Sequence, residues 1–347
     1  MTTPEIMTTT TTMTTTTTTT TSVLDQYAGK LAESYDPYPH GRYMTLLLVR
    51  QVASEAMFRT EGSGEPLTTE FVFPGTTASD PIQRVVISKR KQTAVERRVG
   101  RELLRQHNLL HQSPGKEQRT CALNTNNPCG RCIDCMLYGY AAGGGGAQRS
   151  RIITDDAFSL HQAPTIVGER QFNALYDNST MRDPETNKPS TSIGTDPYVR
   201  PEAVFLDMET LKDVTPDDVR YILGNVLRAS RYGAISSRIG RIQNHLIGVA
   251  FSGCELFSNL EWVQHTYDQL RGEVPEPDFP LHLTHITAAA QAAATTLSAR
   301  VYSPVTFLKA DELARLQQEL HDLYHDAEAL QTLLKRLDAS YSRQAAQ

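Results

Sequence analysis

The chain has 347 residues, 39% of them hydrophobic and 21% charged, with a formal net charge of −5 at pH 7. This composition is that of an ordinary globular protein rather than a disordered or membrane one, and the length predicts two domains or one domain carrying large insertions. The longest strongly apolar run, Met44 to Val49, is far short of the roughly 20 residues that span a bilayer. No membrane contact is expected, and with no basic stretch and apolar core at the start the expected location is cytoplasmic.

Residues 1–22 are dominated by threonine, with Thr8 to Thr12 and Thr14 to Thr21 unbroken. Such a tract has little to bury against its ordering entropy and is expected to be a disordered tail. The segment from Gly41 to Phe58 opens as a strand, and Leu67 to Phe73 and Arg84 to Ser88 are further strand candidates between glycine and proline breaks. Thr93, with Glu96 three residues on, reads as a capping box opening a helix to about Leu110. Arg151 to Thr154 reads as a strand, and Thr165 to Pro201 as a long polar excursion. Glu202 to Met208 is a strand, and Thr215-Pro216-Asp217-Asp218 caps a helix to about Ser230. Ile235 to Phe251 returns to β-prone sequence, and nearly everything after Asn259 is helical.

This order predicts an α+β fold with a ferredoxin-like, RNA-recognition-motif βαββαβ core. The core is expected over 23–110 and 151–253, with a lid at about 60–83, a thumb at about 165–201, an insertion at 111–150 and a helical region at 254–347. Leu313, Leu316, Leu320, Leu323, Ala327, Leu330, Leu334 and Leu337 form a coiled-coil-like seam. Its expected partner is the Ala-rich helix from Thr284 to Arg300.

Cys121, Cys129, Cys132 and Cys135 place four thiols within fifteen residues, separated by Asn-Asn-Pro and Gly-Arg turns. Four soft ligands on tight loops suit tetrahedral zinc, and four protein ligands leave no open position, which predicts a structural zinc. A zinc deaminase also carries Pro-Cys-x-x-Cys but needs His-x-Glu upstream; His107 and His111 are followed by Asn108-Leu109 and Gln112-Ser113. Cys254 stands apart and is expected in the core.

Arg84, Lys89, Arg90, Lys91, Arg97, Arg98, Arg101 and Arg105 crowd one strand and its helix, and Arg228, Arg231, Arg238 and Arg241 gather around Tyr232 with Asn244 close behind. Local positive fields can attract phosphate despite a negative total. The helical arginines 97, 98, 101 and 105 are expected to form a solvated, salt-bridged face. Asp155 and Asp156 are expected to be solvated turn acids, since adjacent strand residues point to opposite faces.

GRYMTLLLVRQ, MFRTEG, VVISKRKQ, the cysteine cluster, VFLDMETLKD and RYGAISSRIGRIQNHLIGVAF together resemble the Cas-seven backbone subunits of CRISPR effector complexes, and among them the type I-D (Csc-two) member. The resemblance spans the chain from about Ser22 to the final helices. It implies a non-catalytic subunit, copies of which stack along a CRISPR guide RNA beside other subunits of the complex and support its pairing with target DNA, or RNA, in antiviral defence. Basic side chains would grip the guide, with Arg59, Lys89, Arg90, Lys91, Arg228, Arg231, Arg238, Arg241 and Asn244 as candidates and Tyr232 as a base-stacking ring. The thumb would carry a wedge, Met181 or Phe172. Related type III subunits cut RNA with an aspartate after the first strand; none stands between Gln51 and Ser79. A zinc-stabilised RNA nuclease and a stand-alone RNA-binding protein are the rival readings.

Overall fold

The computed structural model describes residues 21–58, 67–113, 119–125, 127–143, 146–191, 193–233, 239–272 and 276–344. The threonine tract up to residue 20, Arg59 and Arg238 lie outside them, as do the side chains of Arg90, Lys91 and Phe172. In chain order the elements begin with α1 (Val23–Gln26), β1 (Tyr43–Val52), β2 (Thr69–Val72), β3 (Ile82–Ile87), α2 (Lys89–Gln106) and α3 (Ile133–Tyr138). There follow β4 (Tyr140–Ala142), β5 (Gly146–Gln148), β6 (Ile152–Thr154), β7 (Ala157–Gln162), α4 (Ala163–Ile166), β8 (Val167–Asn173), β9 (Ile193–Val199) and β10 (Val204–Lys212). The chain closes with α5 (Pro216–Arg228), β11 (Ile242–Ser252), α6 (Asn259–Arg271), α7 (Leu283–Ser298), β12 (Thr306–Phe307), α8 (Ala310–His325) and α9 (Ala327–Gln344).

The fold is mixed α+β around a central antiparallel sheet of order β12-β11-β1-β10-β7-β3-β2, with β6 also paired to β10. β1 and β10 are buried on both faces and read as near-continuous apolar runs rather than alternating ones. Met44, Leu46 and Leu48 face α2, α5, α8 and α9, whereas Leu47 and Val49 face Trp262 of α6 and the alanines of α7. Helices therefore cover both faces of the central strands.

Several local expectations change. The helix after β3 begins at Lys89 rather than Thr93, with Ser88 at its N-cap and no side-chain cap bond; Glu96 turns inward to Arg50 and leaves no capping box at Thr93. Thr215 does cap α5, its hydroxyl accepting from Asp218 N at 3.2 Å. The polar stretch from 165 is largely a β8/β9 hairpin paired from Val167↔Val199 to Asn173↔Ile193. The leucine seam is broken at Asp326, and Leu316, Leu320, Leu330, Leu334 and Leu337 pack on α5 and the sheet, while α7 joins α6 on the other face. The leucines and the alanines of α7 pack on opposite faces of the sheet, so α7 is not the partner of the stripe. Cys254 is only partly buried.

Candidate functional site

The four cysteines converge from two loops and the start of α3. Cys132 is the residue before α3 and Cys135 lies in its first turn. Gly130 takes φ +72° in the Cys129–Cys132 turn, where the absence of a Cβ lets the chain fold back between two ligands. The sulfurs are 3.6 Å apart for Cys121 and Cys135, 3.9 Å for Cys121 and Cys132, and 4.0 Å for Cys129 and Cys135. A tetrahedron with Zn–S bonds of about 2.3 Å has edges of about 3.8 Å, whereas a disulfide needs about 2.05 Å. These spacings fit a four-thiolate metal and no disulfide.

The surroundings suit thiolates. The amides of Cys129 and Cys132 donate to Cys121 Sγ at 3.4 Å and Cys129 Sγ at 3.3 Å, and Arg101 Nη1 approaches Cys121 Sγ at 3.6 Å. Hydrogen bonds from its three neighbours hold the Cys121 thiol far below the ordinary range, while contacts with Cys121 and the others, and burial, push Cys132 far above it. A cation accepting all four as thiolates removes that conflict. Arg101 and Arg97 both bind buried Asp134, Arg97 in a two-pronged contact at 2.8 and 2.9 Å. Arg101 is thus buried, not part of a solvated face, because α3 packs on that side of α2.

The sequence-predicted RNA contacts divide. Lys89 is buried, with Nζ 2.5 Å from Asp207 Oδ1. The Tyr232 ring is wholly buried and its hydroxyl donates to Glu96 at 2.9 Å while accepting from Arg50 at 2.8 Å, so it offers no face to a base. Asn244 donates to the carbonyls of Val226 and Ala229 at 2.7 and 2.9 Å. The side chains of all three, expected as RNA contacts, are instead engaged inside the fold, because partners distant in sequence close over them. They surround Arg50, whose Nη2 lies 2.6, 2.7 and 3.0 Å from Asp207, Glu209 and Glu96.

In this cluster burial and the neighbouring Glu96 push the Glu209 carboxyl well above its ordinary range. Burial opposes ionisation of Asp207 too, but Lys89 and Arg50 together overcome it and hold that carboxyl low. Two cations thus face three carboxylates in one buried cluster. Arg84, also counted among the basic crowd, is buried with its guanidinium on the carbonyls of Ser159, Leu160 and Pro74.

Exposed basic groups instead gather where β1 ends. Arg231 bonds the Ile239 carbonyl at 2.8 Å, and Arg241 N donates to Ser54 Oγ at 2.7 Å. Gly240 packs against the carbonyls of Ser54 and Glu55, where a Cβ would come within 2.3 Å of either oxygen. Ala56 bridges to Val199 at the hairpin base, where Arg200 is exposed and Arg170 pairs with Glu55. Arg228 sits apart, its guanidinium over the Tyr324 ring. Met181 is half-buried beyond β8, while Leu175, which the sequence did not single out, is 59% exposed there. Asp155 and Asp156 are exposed.

A family profile described as Csc2 Crispr matches residues 30–334. The chain belongs to the Csc2 family. Its Csc2 fold is shared with the crystal structure of Thermofilum pendens Csc2, at 16% identity and a TM-score of 0.64, covering 94% of this chain and 96% of that one. A chain of a CRISPR RNA-guided surveillance complex aligns at 10% identity and TM-score 0.43 over 77% of this chain and 89% of its own. A chain of such a complex in a pre-nicking state gives 10%, 0.45, 77% and 92%. Proteins of curated function offer no match by sequence. Among the described residues, no helix is long and apolar enough to cross a membrane.

Proposed function

We propose that this Csc2-family chain is a non-catalytic, guide-RNA-binding backbone subunit of a type I-D CRISPR effector complex. Several copies stack along the guide, contact other subunits of the complex, and hold the guide for pairing with target DNA, or RNA, in antiviral defence in the cytoplasm. The observation that carries this reading beyond family membership is the exposed arginine group at the end of β1, Arg170, Arg200, Arg231 and Arg241, at the root of the β8/β9 hairpin. A phosphate backbone tracking past β1 would meet these charges, and the hairpin beside them has the length to act as the thumb. Arg59 and Arg238 flank the same place in sequence.

The strand order supports the RNA-recognition-motif reading. Taking β1, β7, β10 and β11 as the four core strands and α2 and α5 as crossovers, the sheet order is 4-1-3-2, the βαββαβ arrangement. Its free face in that motif is covered here by α6 and α7, so RNA passes the end of the strands rather than crossing the sheet. Cys121, Cys129, Cys132 and Cys135 would hold a zinc ion, whose chemistry when bound is to fix the 111–150 lobe by closing a four-thiolate shell.

The test uses the purified full chain on RNAs of increasing length. Protection that grows in equal steps supports the stacking subunit, and a single fixed footprint overturns it. Divalent-metal-dependent RNA cleavage that disappears in Asp155→Asn would replace the scaffold with a nuclease.

A further inference from the structure

Two histidines stand one turn apart at the end of α8. His321 and His325 have the i, i+4 spacing that puts two side chains on one face of a helix. Their rings stack with centroids 3.9 Å apart and planes 27° from parallel, and both are exposed. His325 Nδ1 lies 2.7 Å from the His321 carbonyl oxygen, which can only accept, so that nitrogen carries the hydrogen. His321 Nδ1 makes a longer contact, 3.4 Å, with another acceptor, Asp322 Oδ1. Each ring thus turns Nδ1 inward and keeps a lone pair on Nε2, which has no hydrogen-bond partner among the described residues.

Metal-ligating histidines show this arrangement, the second ring nitrogen donating to a carbonyl or a carboxylate. The separation also suits one ion: two nitrogens bound tetrahedrally at about 2.05 Å are about 3.4 Å apart, and rings exposed to water can make the small adjustment from a stack. α8 ends at His325 with Asp326 as its C-cap, so the pair lies at the negative end of the helix dipole, between Asp322 and Asp326. The opposing charge is Arg228, which lines the same cavity with its guanidinium over Tyr324. His245 lines that cavity too, but the group of three or more metal-ligating side chains that converges within 4.8 Å among the described residues is the cysteine cluster. His245 is therefore not counted as a ligand.

We propose that His321 and His325 bind a divalent late first-row transition ion, nickel, copper or zinc, through their Nε2 atoms. Imidazole donors suit these ions. Two protein donors leave the other positions to water, so this site is open, unlike the closed shell of the four thiolates. The run His321-Asp322-Leu323-Tyr324-His325 departs from the metalloprotease box His-Glu-x-x-His at the general base. Asp322 is moreover engaged by Gln318, whose Nε2 lies 2.7 Å from the Oδ1 that faces His321. The role assigned is binding the ion and stapling the last turn of α8, without hydrolysis, and it stands independently of guide binding.

Nickel is the probe, added to the untagged full chain after its cysteine cluster has been loaded with zinc, because thiolates hold zinc while imidazoles take nickel. Calorimetric titration should find one nickel ion per chain. His321→Ala and His325→Ala should each weaken binding about tenfold or more, since a lone donor loses the advantage of a second one tethered beside it, and melting temperature without nickel should not change. His282→Ala, in the other close histidine pair at the start of α7, should leave binding as it is. Hydrogen exchange should slow at the end of α8 when nickel is added and stay the same over residues 119–148. Wild-type chain that takes up no nickel overturns the assignment. Undiminished binding in both His321→Ala and His325→Ala, an equal loss in His282→Ala, or protection confined to the cysteine lobe would put the ion elsewhere and overturn it as well.

Discussion

Arg101 touches Cys121 twice, with Nη1 3.6 Å from its sulfur and Nη2 2.6 Å from its carbonyl oxygen. Five residues earlier on the same helix, Glu96 contacts Arg50 in the sheet. At about 100° per residue the two point about 140° apart around α2. The helix therefore joins the cysteine lobe to the buried charge cluster, and each side of it has its own consequences.

On the lobe side, Arg101→Met should lower zinc affinity by about 10- to 100-fold, the usual effect of removing a partner that orients a metal ligand. Asp134 keeps Arg97, so folding should survive. Competition with a chromophoric chelator measures the change, and Arg101→Lys should recover part of it. An affinity equal to wild type would mean that the guanidinium serves only Asp134.

Stripping the metal should act locally first. Hydrogen exchange should quicken over residues 119–148, while β1, β10 and β11, buried among helices on both faces, stay protected. Because Ile133, Met136, Leu137 and Tyr138 of α3 also sit in the main core, melting temperature should fall too. The binding energy of structural zinc sites, about 10 to 16 kcal/mol in small peptides, sets the upper scale. Uniform exchange through the lobe with and without chelator would show that α3 holds itself.

These two halves of α2 also show what sequence can reveal. The cysteines are readable because ligands and turns are adjacent in the chain. Lys89 and Tyr232 are not, because Asp207 lies 118 residues from Lys89 and Glu96 lies 136 from Tyr232; from the sequence a lysine or tyrosine in a basic stretch looks free. The hairpin β8/β9 escaped because its strands carry Gly, Glu, Arg, Asp and Pro, with little apolar alternation to announce it. The leucine seam was visible, yet its partner depends on which sheet face α8 crosses, and spacing along one helix says nothing of that.

The Arg50 cluster makes opposite predictions for its members. Arg50→Met strips Asp207 and Glu96 of their shared cation and should cost about 3 to 5 kcal/mol, the range for breaking a buried ion pair from one side. Glu209→Gln should be nearly silent at low pH, because the carboxyl already carries a proton there. Its folded pKa lies above its ordinary 4.5, so its contribution is complete below 4.5 and is lost as pH rises toward the raised value. Asp207, held low, contributes above 3.8 and loses that as pH falls. Denaturation from pH 4 to 9 should therefore show wild type losing stability toward alkaline pH and Glu209→Gln losing less. Parallel curves would put the proton elsewhere.

Arg231 and Tyr232 are neighbours in sequence and opposites in role. Arg231 and Arg241 are exposed at the end of β1, so replacing either with alanine should reduce the slope of log affinity against log salt by about 0.7 per phosphate contact on single-stranded RNA. Tyr232→Phe removes a hydroxyl shared by Arg50 and Glu96 and should cost about 1 to 3 kcal/mol of stability, the range for leaving buried partners unsatisfied. Its salt slope should stay at the wild-type value. Binding isotherms at four or five salt concentrations beside melting curves separate the two effects. A reduced slope in Tyr232→Phe would mean that burying this ring does not keep it from the RNA, and the arginine group at the end of β1 would have to be redrawn around it.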